Sequence, residues 1–138
     1  MKILPFMLLA LVCQTGCVNQ AVQQAQPAAD LSKIKSICVE RFEPDNRHLN
    51  VTIAEELSKF SIKSSAADKC PENVDAIMTY RDKWMWDMTT YMISISMKLN
   101  DPITGFPLAY GQALHTSLTR QSPEETIREV LANMFSGK

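Results

Sequence analysis

Between Tyr91 and Asn100 the chain alternates without a break. Tyr91, Ile93, Ile95, Met97 and Leu99 fall on one side, and Ser94, Ser96, Lys98 and Asn100 on the other. A period of two is the pattern of a β-strand with one buried and one wet face. Asp101-Pro102-Ile103-Thr104-Gly105 follows. Here proline sets φ and glycine supplies a positive φ, which predicts a hairpin turn into a second strand over 106–116. Upstream, Val74, Ala76, Met78 and Tyr80 also alternate with polar residues and predict a strand, while 33–42 is short, β-branched at its centre and closed by Pro44-Asp45-Asn46. Residues 61–67 are ambiguous, with a short edge strand as one reading.

The period changes to that of a helix in two places. Leu49, Ile53, Leu57 and Phe60 form one stripe, with Thr52 and Glu55 at capping-box spacing or within the first turn. Ile127, Val130, Leu131 and Met134 form another, introduced by Ser122-Pro123-Glu124-Glu125: a serine N-cap, a proline at N1 and a glutamate at N3. The order β-α-(β)-β-β-β-α predicts an α+β two-layer sandwich, in which two helices cover one face of a four- to five-stranded, antiparallel-dominated sheet. Ala109, Gly111 and Ala113 put a stripe of small residues on the last strand, where a helix can pack closely.

The N-terminus follows a different logic. Lys2 precedes an apolar run over 3–12, too short to span a bilayer, and Gln14-Thr15-Gly16-Cys17 follows it. That segment resembles the lipobox of bacterial lipoproteins, although Gln14 stands where the pattern usually has leucine. The resemblance implies a signal peptide over 1–16 and a diacylglycerol-modified Cys17. With Val18 rather than aspartate after the cysteine, it also implies delivery to the periplasmic leaflet of the outer membrane. Residues 17–30 then read as a lipidated terminus and a flexible Gln/Ala-rich tether, and 31–138 as one domain. The leader carries Lys2 alone of the charged residues, leaving 13 basic against 15 acidic residues. That balance lacks the basic excess a nucleic-acid surface needs.

Of the four cysteines, Cys13 leaves with the leader and Cys17 takes lipid, so Cys38 and Cys70 remain. In an oxidising compartment two such thiols are expected to bridge; separate buried thiols are the other reading. His48 and His115 lie in unrelated contexts with no CxxC or HxxxH spacing, so neither a metal nor a cofactor is expected.

Tyr80 to Tyr91 gathers both tryptophans, two tyrosines and two methionines with four charges. Two readings stand open: Trp84 and Trp86 are core, or they form a binding surface with Met85 and Asp87. A catalytic role for Asp82, Asp87 or His115 requires convergence in a cleft, for which the sequence offers only proximity. The Trp84-x-Trp86-Asp87 motif, with Tyr80, Tyr91, the alternating strand and the Thr104-Gly105 turn, resembles a family of small uncharacterised proteobacterial lipoproteins. The element order is similar to that of the TolB N-terminal domain and of CsgG-like and LpoB-like envelope domains. The family resemblance implies an address and a fold but no mechanism; with the TolB-like analogy beside it, the expected function is a non-enzymatic envelope module that binds a protein partner through Trp84, Trp86 and Met85. A binder of cell-wall glycan or a small ligand is the alternative.

Overall fold

The computed structural model describes residues 20–25 and 30–135. The leader and Cys17 lie outside the described residues. The elements in chain order are β1 (Gln20–Ala25), β2 (Ser36–Glu40), α1 (Leu49–Ser58), β3 (Lys63–Ala67), β4 (Ala76–Asp87), β5 (Thr89–Asn100), β6 (Pro107–Leu114) and α2 (Pro123–Phe135). The strands form a single sheet in the order β1-β6-β5-β4-β2-β3. β4, β5, β6 and β1 pair antiparallel in succession, whereas β2 runs parallel to both β4 and β3. The architecture is the expected α+β two-layer sandwich with the ambiguous 61–67 segment as an edge strand.

Six strands rather than five arise because Gln20–Ala25, within the stretch read as tether, pairs with β6 from Gln20↔Leu114 to Ala25↔Ala109. No apolar pattern announces this strand. Backbone N–H and C=O groups along the free edge of β6 are partners for any extended segment, whatever its side chains.

Both helices lie on one face, α1 over β2 and β3, α2 over β6, β5 and β1, and they touch each other. The core between the layers joins Ile37, Val39, Met78, Ile95, Met97 and Leu99 of the sheet to Ile53, Leu57, Ile127, Val130 and Leu131 of the helices. Glu56 of α1 is buried and accepts from Arg128 of α2 at 3.0 and 3.2 Å and from Lys59 at 2.6 Å. These bonds tie the helices together.

α2 begins as predicted: Ser122 Oγ accepts from the Glu125 N–H at 3.2 Å and Glu125 Oε2 accepts from the Ser122 N–H at 3.0 Å. α1 begins differently. Thr52 and Glu55 lie inside the helix, the chain enters through His48 at φ +56°, and the carboxylate of Asp45 accepts the Leu49 N–H at 2.7 Å. In the β5–β6 turn Asp101 Oδ1 accepts from the Ile103 and Thr104 N–H groups at 3.0 and 2.8 Å, and Gly105 takes φ +70°.

Cys38 and Cys70 form a disulfide with Cα atoms 5.8 Å apart. Cys38 alternates with Ile37 and Val39, so it faces away from the helices, where the segment after β3 crosses the sheet. The small-residue stripe on β6 is helix packing. A Cβ at Gly111 would stand 2.7 Å from Val130 Cγ1 and from Met134 Cγ. Gly111→Val is therefore expected to push α2 off the sheet and cost about 1–3 kcal/mol, read as a lower urea midpoint at unchanged slope. A wild-type midpoint in the variant would contradict this packing.

Candidate functional site

β4 and β5 outrun their neighbours. β2 stops pairing with β4 at Val39↔Met78, and β6 stops pairing with β5 at Leu114↔Ser94. From there the two strands continue as a hairpin arm to the Asp87↔Thr89 pair, with Met88 at the tip at φ +61°. The register shifts at the base of the arm, from Lys83↔Ser94 to Trp84↔Met92, leaving Ile93 without an opposite residue. This is a β-bulge in β5, and one extra residue inverts the facing of all that precedes it. The unbroken alternation expected across 91–99 is corrected accordingly: Met92 is buried in the core, while Tyr91 and Ile93 are only half-buried and belong to the opposite face.

The bulge leaves β4 in phase, so Asp82, Trp84 and Trp86 point to the side of the helices and Lys83, Met85 and Asp87 to the other, as a strand through this motif predicts. The two tryptophans have different surroundings. Trp84 lies opposite Met92, packs against the core, donates its indole N–H to Asp82 Oδ2 at 2.6 Å, and is covered by the Arg47 guanidinium 4.0 Å from its ring centroid. Trp86, one pair further out, is 75% exposed; Met88 is 87% exposed and Met85 43%. Trp84 is partly core and Trp86 is exposed.

The arm is braced from its other face. Arg120, between the last strand and α2, donates to Thr89 Oγ1 at 2.7 Å, to the Asp87 carbonyl at 3.0 Å and to Asp87 Oδ2 at 3.3 Å, and stacks 4.2 Å from the centroid of Tyr91. A guanidinium bonded at three points to the last residues of a hairpin fixes a tip that would otherwise fray.

The titratable groups singled out in the sequence do not share a site. Asp82 and Asp87 lie on opposite faces of β4, the first held by Trp84 and the second by Arg120. His115 is buried and bonds Glu129 of α2 through Nε2 at 2.7 Å. Among the described residues there is no cluster of three His, Cys, Asp or Glu side chains able to hold a metal, and no helix is long and apolar enough to cross a membrane.

Two further features have no local signature among the residues that form them. The first is a buried node at the head of α1, where Asp45 accepts from Tyr80 Oη at 2.6 Å and from the Arg47 and Leu49 N–H groups at 2.7 Å each. Burial pushes the Tyr80 phenol well above its usual range, and the bond to Asp45 adds to the rise. The second is an open depression of about 470 Å³ on the helix-free face, between the 40–43 segment and the middle of β4, β5 and β6. Neither tryptophan lines it.

No protein-family model matches the chain, and no curated protein matches it in sequence. Solved structures do match it in shape. The PelC dodecamer from Paraburkholderia phytofirmans superimposes with a TM-score of 0.64 at 18% identity, over 85% of this chain and 98% of that one. The chain shares its fold with PelC. A point variant of the PelC dodecamer gives a TM-score of 0.64 at 15% identity, over 84% of this chain and 97% of that one. TolB from Acinetobacter baumannii gives a TM-score of 0.44 at 14% identity, and the match spans 32% of that longer chain.

Proposed function

We propose that this protein is a non-enzymatic binding module of the cell envelope, lipidated at Cys17, held at the periplasmic leaflet of the outer membrane, and docking onto protein through the β4–β5 arm. The observation that carries this reading is Trp86, exposed beside Met88 at the end of a hairpin that Arg120 braces. A large apolar side chain held rigid in water gains more by docking than a mobile one, because little ordering entropy remains to be lost. Trp84 does not offer an open ring face to a sugar, since Arg47 covers it.

The matching PelC structures are dodecamers, which supports a second copy of this chain as the first partner to test. Mass photometry of the mature chain is expected to show an oligomer that Trp86→Ala/Met88→Ser reduces to monomer. The variant's circular dichroism spectrum should match that of wild type, because positions exposed in the single chain contribute about 0.5 kcal/mol or less to its own folding. Trp84→Ala, by contrast, should destabilise the fold. A wild-type chain that is monomeric, and that in-cell cross-linking on membranes links to no protein, would end this reading.

A further inference from the structure

The helix-free face carries three cations that form no ion pair. Arg81 and Lys98 stand on adjacent strands, are both exposed, and make no ion pair with any carboxylate among the described residues. Lys83, one pair along on the same face, is in the same condition. All 15 acidic residues of the chain fall within 30–135, and none of their side-chain carboxylates stands within ion-pair distance of these cations. Like charges on neighbouring strands disfavour one another, and an anion seated between them removes that cost.

The surroundings narrow the class of anion. Arg81 lies 5.0 Å over the ring of Phe42, an arrangement that orients a guanidinium while leaving its N–H edges available. Ser96, directly opposite Arg81 and two residues from Lys98, has a hydroxyl with no hydrogen-bond partner among the described residues. Tyr110, opposite Lys98 on β6, donates its O–H to Gln112 at 2.5 Å and keeps its oxygen as an acceptor. Across the depression stand two carboxylates, Glu43, which is exposed, and Glu40, whose Oε2 accepts the Cys70 N–H at 3.1 Å. A bare phosphate or an acidic peptide would meet the cations but be repelled by these acids. A polyhydroxylated anion uses both, its negative group on the cations and its hydroxyls donating to the carboxylates.

We propose that the depression binds an acidic sugar residue of an oligosaccharide. The hexuronate carboxylate lies between Arg81 and Lys98, its hydroxyls bond Ser96, Glu40 and Glu43, and its ring rests against Tyr110. The volume of about 470 Å³ suits one to two sugar rings and falls in the usual range for small-ligand sites. This site is separate from the arm and does not depend on its role.

The test is titration of the full mature chain with trigalacturonate, beside uncharged maltotriose and a triglutamate peptide, followed by amide chemical shifts. Trigalacturonate is expected to move the resonances of Arg81, Ser96, Lys98 and Tyr110 and to weaken with added salt. Arg81→Ala/Lys98→Ala, both at exposed positions, should reduce affinity at least tenfold with an unchanged circular dichroism spectrum, while Trp86→Ala should bind as wild type does. Absence of any shift overturns the proposal. So do equal shifts with maltotriose, equal or tighter binding of triglutamate, or affinity retained in the double variant.

Discussion

Replacing both bridging cysteines, as Cys38→Ala/Cys70→Ala, is expected to remove about 3–4 kcal/mol of stability, from the loop-closure entropy of a bridge whose cysteines are 32 residues apart in sequence. For a domain of this size that loss lowers the melting temperature by roughly 15–25 °C. Alanine is the proper replacement because Cys38 is buried and a serine hydroxyl there would add a desolvation cost of its own. The bridge encloses α1 and β3, so its removal frees the parallel β2–α1–β3 unit, whose outer strand is paired on one side only. Opening should begin there. Hydrogen exchange of the reduced protein is expected to rise first in β3 and α1 and last in β4 and β5. A double-alanine chain melting within a few degrees of wild type would mean that the non-covalent packing of this unit is sufficient by itself.

The elements legible in the sequence are those whose signal is local. The Ser122-Pro123-Glu124-Glu125 run specifies a helix start through bonds made within four residues, and it is found as read. The small side chains around Gly111 imply close packing whatever packs there, and the helix is α2. Other features depend on distant partners. The bulge at Ile93 is invisible because the alternation across 91–99 runs on unbroken; the shift exists only relative to β4. Trp84 and Trp86 share a face and a spacing, and what separates them is that cover from Arg47 and the core reaches one and stops short of the other. β1 pairs through its backbone, which no side-chain pattern records. The depression is assembled from strands and a loop up to seventy residues apart in sequence, so no single stretch describes it.

Asp45 illustrates the same division and carries the other large expected effect. In the sequence it is one residue of a Pro-Asp-Asn turn; in the structure it is buried, and its carboxylate accepts the Tyr80 hydroxyl and two N–H groups that begin α1. Asp45→Ala leaves the Leu49 N–H and the Tyr80 hydroxyl without an acceptor, two polar groups that cost about 1–3 kcal/mol each when buried and unpaired. A total near 3 kcal/mol is expected. Tyr80→Phe removes the bond to Asp45 and the long 3.4 Å bond from the Phe42 N–H but leaves Asp45 to hold the Leu49 N–H, so it should cost less. Burial alone would raise the Asp45 carboxyl, but the bond from Tyr80, the Arg47 and Leu49 N–H groups and the charge of Arg41 outweigh it and hold the group below the ordinary carboxylate range. A carboxyl whose folded-state value lies below its unfolded one stabilises the fold above the unfolded value, and that contribution is lost as pH falls through the folded one. The stability gap between wild type and Asp45→Asn should therefore be constant above about pH 5 and shrink as the pH falls below about 4. Taking the difference removes the shared contributions of Glu56 and the exposed acids. Urea midpoints of both chains from pH 7 to pH 3 provide the measurement, and a gap that stays constant to pH 3 would show that the node is held by shape rather than by the charge of Asp45.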